Sequence, residues 1–205
     1  MNEKNIQRDA RSPLLQAGIA ERDIRLEHVQ LREITNLALA RLRSMDSPPG
    51  AQASALDVPI ETGQCAGTDP VFMCLGPREW LAVSATSTPH RLSTQLQAVT
   101  QAARGMAVFD ASDALATLRI AGTAAPWLLS KLGGLDFLAG AREGQHCTRT
   151  RLGEAAVTIH YREDTQQEWV FDVFVDRSIA AYLWALFLEC APHASELAQT
   201  HGAAA

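Results

Sequence analysis

A chain of 205 residues with 47% apolar side chains suits one compact domain, burying roughly 70% of its unfolded surface without a disulfide or a metal. Its net charge of −5 argues against a nucleic-acid or anionic-membrane partner, because phosphate binding needs a surplus of Lys and Arg. No apolar run nears the ~20 residues of a membrane helix.

Arg22, Arg25, Arg32, Arg41 and Arg43 make the early part locally basic, and solvated faces account for them. Residues 1–30 read as a partly flexible start, 31–192 as a single domain, and 193–205 as a flexible tail. Leu31 to Arg43 fits either a strand, through Leu37 and Leu39, or a helix, through Leu31, Ile34, Ala38 and Leu42. Ser44 to Gly67 reads as a long loop with a firm turn at Pro48-Pro49-Gly50.

From residue 71 the pattern sharpens. Val71–Leu75 and Trp80–Val83 read as paired strands around a Gly76-Pro77 turn. Thr88 is placed to cap a helix with Pro89 in its first position. Leu92, Leu96, Val99 and Ala103 share one face of that helix, and Gly105 stops it. Ala107–Phe109 and Leu115–Ala121 are strand-like, with Leu118 and Ile120 opposed to Thr117 and Arg119.

Thr123 is placed to cap the next helix, with Pro126 in its first turn, Leu128, Leu129 and Leu132 as its buried stripe, and Gly133-Gly134 at its end. Arg149–Leu152 and Ala155–Tyr161 form a hairpin around Gly153-Glu154. Trp169–Val175 is apolar on both faces except at Asp172, which predicts a central strand. Ser178 is placed to cap the last helix. Ile179, Leu183, Leu186, Phe187 and Cys190 line its inner face, and Pro192 lies just beyond its end. The order predicts an α+β fold, a mainly antiparallel sheet with helices on one face and ferredoxin-like elements. No glycine-rich dinucleotide loop follows a strand.

The residues that could carry chemistry are few. Cys65, Cys74, Cys147 and Cys190 match no zinc or redox spacing. With no signal-like segment they are expected to be reduced, in a cytoplasmic protein. His146 and Cys147 are adjacent, so a strand points them to opposite faces and a thiolate–imidazolium pair is not expected. His160 reads as a packed or exposed strand residue. Asp110, Ser112 and Asp113 cluster where a strand bends, a place where such side chains organise turns. Arg149 and Arg151 share a strand face and suit surface or partner pairing better than an anion site. Trp127, Tyr182 and Trp184 stand beside leucines that already fill an inner stripe, which makes them candidate anchors of a protein interface. No catalytic, cofactor-binding or metal-ligating set emerges.

Five segments resemble the gamma subunit of heterotetrameric sarcosine oxidase. They are Leu75-Gly76-Pro77-Arg78-Glu79-Trp80-Leu81, Phe109-Asp110-Ala111-Ser112-Asp113, Leu118-Arg119-Ile120-Ala121-Gly122, Cys147-Thr148-Arg149-Thr150-Arg151-Leu152, and the run from Val175 to Trp184. In this order and spacing, over about residues 71–190, they are specific. The likeness is looser around Ser12-Pro13-Leu14 and Leu31-Arg32-Glu33.

The resemblance implies the fold of an aminomethyltransferase folate-binding domain and an architectural role without a cofactor on this chain. It implies alpha, beta and delta partner subunits, chiefly the large alpha subunit. FAD, FMN, NAD, tetrahydrofolate and zinc would be held by those other subunits, in a complex that demethylates sarcosine to glycine. Aminomethyltransferases carry adjacent aspartates after the hairpin turn. Here the stretch is Gly153-Glu154-Ala155-Ala156-Val157, whose one carboxylate sits in the turn. Two alternatives remain: a free-standing folate-binding or aminomethyl-transferring module, and a subunit of an oxidase for another N-methyl amine such as dimethylglycine.

Overall fold

The computed structural model describes residues 12–45, 56–102, 106–137, 145–162 and 169–202. In chain order the elements begin with α1 (Pro13–Gln16), β1 (Asp23–Arg25), β2 (Gln30–Ile34), β3 (Ala38–Ser44), β4 (Cys65–Ala66), β5 (Val71–Gly76) and β6 (Glu79–Ser84). They continue with α2 (Pro89–Ala102), β7 (Met106–Asp110), β8 (Leu115–Ala121), α3 (Ala125–Leu132), β9 (His146–Leu152), β10 (Ala155–Arg162), β11 (Val170–Asp176) and α4 (Ala180–Gly202). The class is α+β with antiparallel pairing. The strands expected in one sheet divide between two, ordered β1-β2-β8-β11-β10-β9 and β4-β5-β6-β3-β7. Alternation identifies a strand but not its partner, and β3 pairs with β6 and β7. The ambiguous stretch 31–43 holds two short strands, β2 and the first part of β3.

The chain forms two compact units. One runs to Thr35, resumes at Ala116–Gln145 and again from Arg149, and the other is Asn36–Leu115 with His146–Thr148. In the first, β11 is central, as its two apolar faces require. Phe171, Val173 and Val175 join Leu118, Ile120, Val157 and Ile159 on the face covered by α3 and α4. From the helices, Leu128, Leu129, Leu183, Trp184 and Phe187 enter the same core. Burying each such side chain is worth about 1.5–3 kcal/mol.

Helix α4 departs from expectation at both ends. Asp176 rather than Ser178 is the cap: its Oδ1 accepts from Ser178 N at 2.9 Å and from Ser178 Oγ at 2.6 Å. A carboxylate is the stronger acceptor, and the chain enters α4 through a 3-10 turn at Arg177–Ile179. The helix also runs through Pro192 to Gly202. Proline removes one backbone hydrogen bond, and Ala191, Ala194 and Ala198 offset that loss by packing into the core. Residues 193–202 are therefore helix and not a loose tail. Likewise the described stretch 12–30 is tied to the fold and not loose, because Leu14 and Val29 are buried in the core.

In the second unit, Ala38, Ala40, Leu42, Phe72, Cys74, Trp80 and Ala82 form a core with Leu92 and Leu96 of α2. The Trp80 indole donates to the Pro59 carbonyl at 2.6 Å, so its burial leaves no orphaned donor. Thr88 caps α2 as expected, accepting from Arg91 N at 3.3 Å. The inner stripe shifts, however: Val99 is exposed and Thr100 is buried in its place, donating to the Gln97 carbonyl. Leu92, Leu96 and Thr100 keep a strict spacing of four, which Val99 breaks. Ala103, Gly105 and Pro48-Pro49-Gly50 lie outside the described residues.

The end of β8 depends on Gly122. It has φ +110°, donates to the Trp169 carbonyl at 3.0 Å, and passes so near His28 that an added Cβ would lie 2.5 Å from its carbonyl oxygen. The following helix needs no side-chain cap. The N-cap is Ala124 rather than Thr123, and its N–H is taken by the same His28 carbonyl at 2.9 Å. Thr123 instead places its hydroxyl 3.4 Å from the His28 ring. Gly122→Ala is expected to cost about 2–4 kcal/mol, through both the left-handed backbone and the contact. Denaturant unfolding of the variant checks this, with Gly134→Ala, where a Cβ meets open space, as the mild control.

Candidate functional site

The groups that could carry chemistry are mostly engaged in holding the backbone. Asp110 at the end of β7 accepts from Ser112 N at 2.9 Å, which closes the turn. The buried Ser112 hydroxyl accepts from Leu39 N at 3.0 Å and donates to Leu39 O at 3.2 Å. This pair of bonds fastens the β7–β8 turn to β3. The cluster is a turn organiser, as the residue types imply.

Among the described residues of the first unit, two carboxylates are buried, Glu33 and Asp172. Glu33 on β2 accepts from Ser12 Oγ at 2.5 Å and pairs with Arg22 at 3.4 Å. Ser12 in turn caps α1 by accepting from Leu15 N at 2.9 Å. Asp172 on β11 takes a two-pronged contact from Arg119 on β8, at 2.7 and 3.0 Å, and a third from Arg162 on β10 at 3.4 Å. Burial opposes the Arg119 charge, but the hydrogen bonds and charge of Asp172 outweigh it and raise its affinity for the proton. His160 is buried, facing Asp172 across the β10–β11 ladder.

Arg149 and Arg151 both lie exposed on β9. Arg151 is spent on its own hairpin, donating to the Glu154 carbonyl at 2.7 Å and its carboxylate at 3.1 Å. The Glu154 side chain is 88% exposed. An exposed carboxylate already held by a guanidinium does not fit acid–base work on a bound folate.

The three proposed aromatic anchors part company. Trp184 is wholly enclosed among core residues, so it supports the fold and cannot anchor a partner. Two apolar faces of one helix look alike in sequence, and only packing shows which is covered. Trp127 is half-buried against the same core. Tyr182 is 42% exposed, and its hydroxyl accepts from Glu154 N at 3.2 Å above the Gly153 turn. Sequence reasoning missed Phe109, which is 58% exposed on β7, an edge strand. The edge position gives no local signal, since it depends on the pairing of β3.

Three cysteines distant in sequence meet in the second unit. Cys147 Sγ lies 3.6 Å from the Cys74 carbonyl and 3.9 Å from that of Gln64. Interaction with the Cys147 thiol, with burial, pushes the Cys65 thiol up, while interaction with Cys65 lowers Cys147. Burial also pushes the Cys74 thiol up. All four cysteines are free.

A recess of about 350 Å³ lies in the first unit between the β1–β2 turn and the end of β8, lined by Arg25, Glu27, His28, Gln30, Gly122 and Thr123. Among the described residues no group of His, Cys, Asp or Glu is arranged to hold a metal ion. No described helix is long and apolar enough to cross a membrane.

The fold has solved counterparts. The chain superposes on a chain of the heterotetrameric sarcosine oxidase from Corynebacterium sp. U-96, in complex with pyrrole 2-carboxylate, with TM-score 0.73 and 22% identity, covering 91% of this chain and 95% of that one. It shares that fold. It also superposes on the glycine cleavage system aminomethyltransferase T from Bartonella henselae with TM-score 0.59 and 14% identity, covering 78% of this chain and 45% of that one. The fold class expected from the resemblance is thus the one observed. No protein-family model matches the chain, and no curated protein matches it by sequence.

Two outcomes follow from the electrostatics. Asp172→Ala should destabilise the chain by about 3–5 kcal/mol in urea unfolding, because it leaves the partly buried Arg119 without its partner. Asp69 is exposed. Partial burial raises its pKa, but hydrogen bonds from the Ser84 and Thr86 hydroxyls and the Ala85 and Thr86 amides bring it below the ordinary 3.8. A lowered carboxylate stabilises the fold above the unfolded value, and that contribution fades as pH falls through the folded one. Melting temperature should therefore drop below about pH 4, with a shallower drop in Asp69→Asn.

Proposed function

We propose that the chain is a non-catalytic gamma-type subunit of a heterotetrameric sarcosine oxidase, which oxidatively demethylates sarcosine to glycine with oxygen as electron acceptor and folate as one-carbon acceptor. The observation that carries this reading is the nearly complete superposition in both directions on a chain of such an oxidase. The aminomethyltransferase match, by contrast, spans under half of that enzyme. A chain that corresponds to a whole subunit, but to a fraction of the transferase, is better read as a subunit than as a free-standing transferase.

The inner chemistry of the first unit supports an architectural role. Glu33 and Asp172 are held by arginines and a serine, and Glu154 is bound to Arg151 at the surface. In this reading FAD, FMN, NAD, tetrahydrofolate and zinc belong to the alpha, beta and delta subunits. The contact to the large alpha subunit would use aromatic groups that reach the surface. Exposed Tyr182 and Phe109 and half-buried Trp127 are the candidates, now without Trp184.

The reading is tested by co-expression with alpha, beta and delta subunits of a heterotetrameric sarcosine oxidase, then affinity capture and size exclusion. The wild-type chain should co-elute with them, and the assembly should oxidise sarcosine. A chain that never co-elutes defeats the proposal. Alanine at Trp127, Tyr182 or Phe109 should weaken capture at one position by roughly 2–4 kcal/mol while thermal unfolding still shows a folded chain. If all three variants bind as wild type does, the anchors lie elsewhere.

A further inference from the structure

We propose that the outer edge of β7 is a docking site for an extended, acidic strand of a partner protein, which extends the second sheet by one strand. Pairing leaves that edge open. β7 ends its sheet, and its neighbour there is β3, with Arg41 opposite Phe109 and Arg43 opposite Ala107. Ala111 N donates to Leu39 O at 2.9 Å, one step further along the same register. Antiparallel bonds alternate, so Phe109 and Ala107 spend their backbone groups on β3. Those of Met106, Val108 and Asp110 point away from the sheet, and among the described residues no backbone group meets them.

Free edges are usually guarded by charge or by proline. From Met106 to Phe109 the strand has neither. Met106 and Val108 turn inward against the core. Phe109, more than half exposed, and Ala107 turn to the opposite face, beside exposed Arg41 and Arg43. Among the described residues no hydrogen bond or ion pair holds either guanidinium. Glu79 flanks Arg43 from β6 without an ion pair between them, being engaged elsewhere. Asp110 lies on the Val108 side and accepts from Ser112 N. The open face therefore offers positive charge and an aromatic ring in a chain whose net charge is −5.

Charge and reach choose the occupant. Neighbouring strands lie about 4.8 Å apart, so an added strand would run roughly 10 Å from β3. Ala107 is small, and the long Arg43 side chain can cross it to a carboxylate on the added strand. Two residues along, an apolar side chain of that strand would cover Phe109. A second copy of this chain fits worse. Pairing β7 with itself about Val108 gathers Arg41 and Arg43 of both copies around one axis, and like charges oppose that.

The test titrates the isotope-labelled full-length chain with a nine-residue peptide, followed by amide NMR. The peptide carries threonine at odd positions, with glutamate and valine alternating at even ones. Saturable shifts are expected at Met106, Val108 and Asp110 and not at β4, the other edge of the sheet. The double variant Arg41→Ala/Arg43→Ala should weaken binding by about five- to tenfold, and added salt should weaken it too. Val108→Pro, which removes an outward N–H, should abolish binding. If that variant does not fold, the same peptide N-methylated at alternate residues removes the strand pairing from the other side and should not bind. Absence of saturable shifts, shifts at β4 instead, or equal binding of a lysine-for-glutamate peptide or of the N-methylated peptide overturns the proposal. So does a dimer in sedimentation velocity that Val108→Pro abolishes, because the occupant is then a second copy. No oxidase subunit enters the test, so its outcome is separate from that of the oxidase reading.

Discussion

Asp172 sits in the middle of a strand that is otherwise apolar on both faces, and its charge has to be answered within the sheet. Arg119 answers it from β8 on one side and Arg162 from β10 on the other. Three neighbouring strands are thereby tied at one height. Moving β11 by one residue would turn Asp172 into the apolar core and carry Phe171 and Val173 out of it. A buried charge is poor evidence of extra stability, but it is a strong penalty against the wrong register. The placement of α3 and α4 on this sheet then follows, since their leucines need the face that the register presents.

The same economy of polar groups runs through the rest of the chain. Asp69, Asp110, Ser112 and Asp176 all face backbone N–H groups at turns and helix entries. These are residue types from which active sites are also built, and here their acceptors are already used. Glu33 joins them by receiving Ser12, which in turn caps the first helix.

Much of this was legible along the chain from residue 71 onward. The hairpin around Gly76-Pro77, the Thr88 cap, the hairpin at Gly153-Glu154 and the centrality of β11 each rest on local signals that the structure obeys. Where structure and local pattern differ, the cause is shared. The spacing along one helix does not tell whether Val99 or Trp184 faces in or out, and the neighbour that covers each position decides it. Pro192 ends a helix by local rules, yet alanines beyond it find core to pack against, and the helix continues. Thr123 was a good cap by type, but the His28 carbonyl had already taken the N–H of Ala124.

The sequence by itself determined the α+β class, most strands and helices, and the turn-forming role of the Asp110–Ser112 cluster, because these depend on periodicity and on bonds between near neighbours. Only the tertiary structure decided that the strands divide between two sheets, that Phe109 lies on an exposed edge, and that Asp172 is held by two arginines. It alone brought Cys147 against the Cys74 carbonyl. Such outcomes turn on which distant segments pair, and strand pairing is governed by burial and register across the whole chain rather than by any residue's own preference.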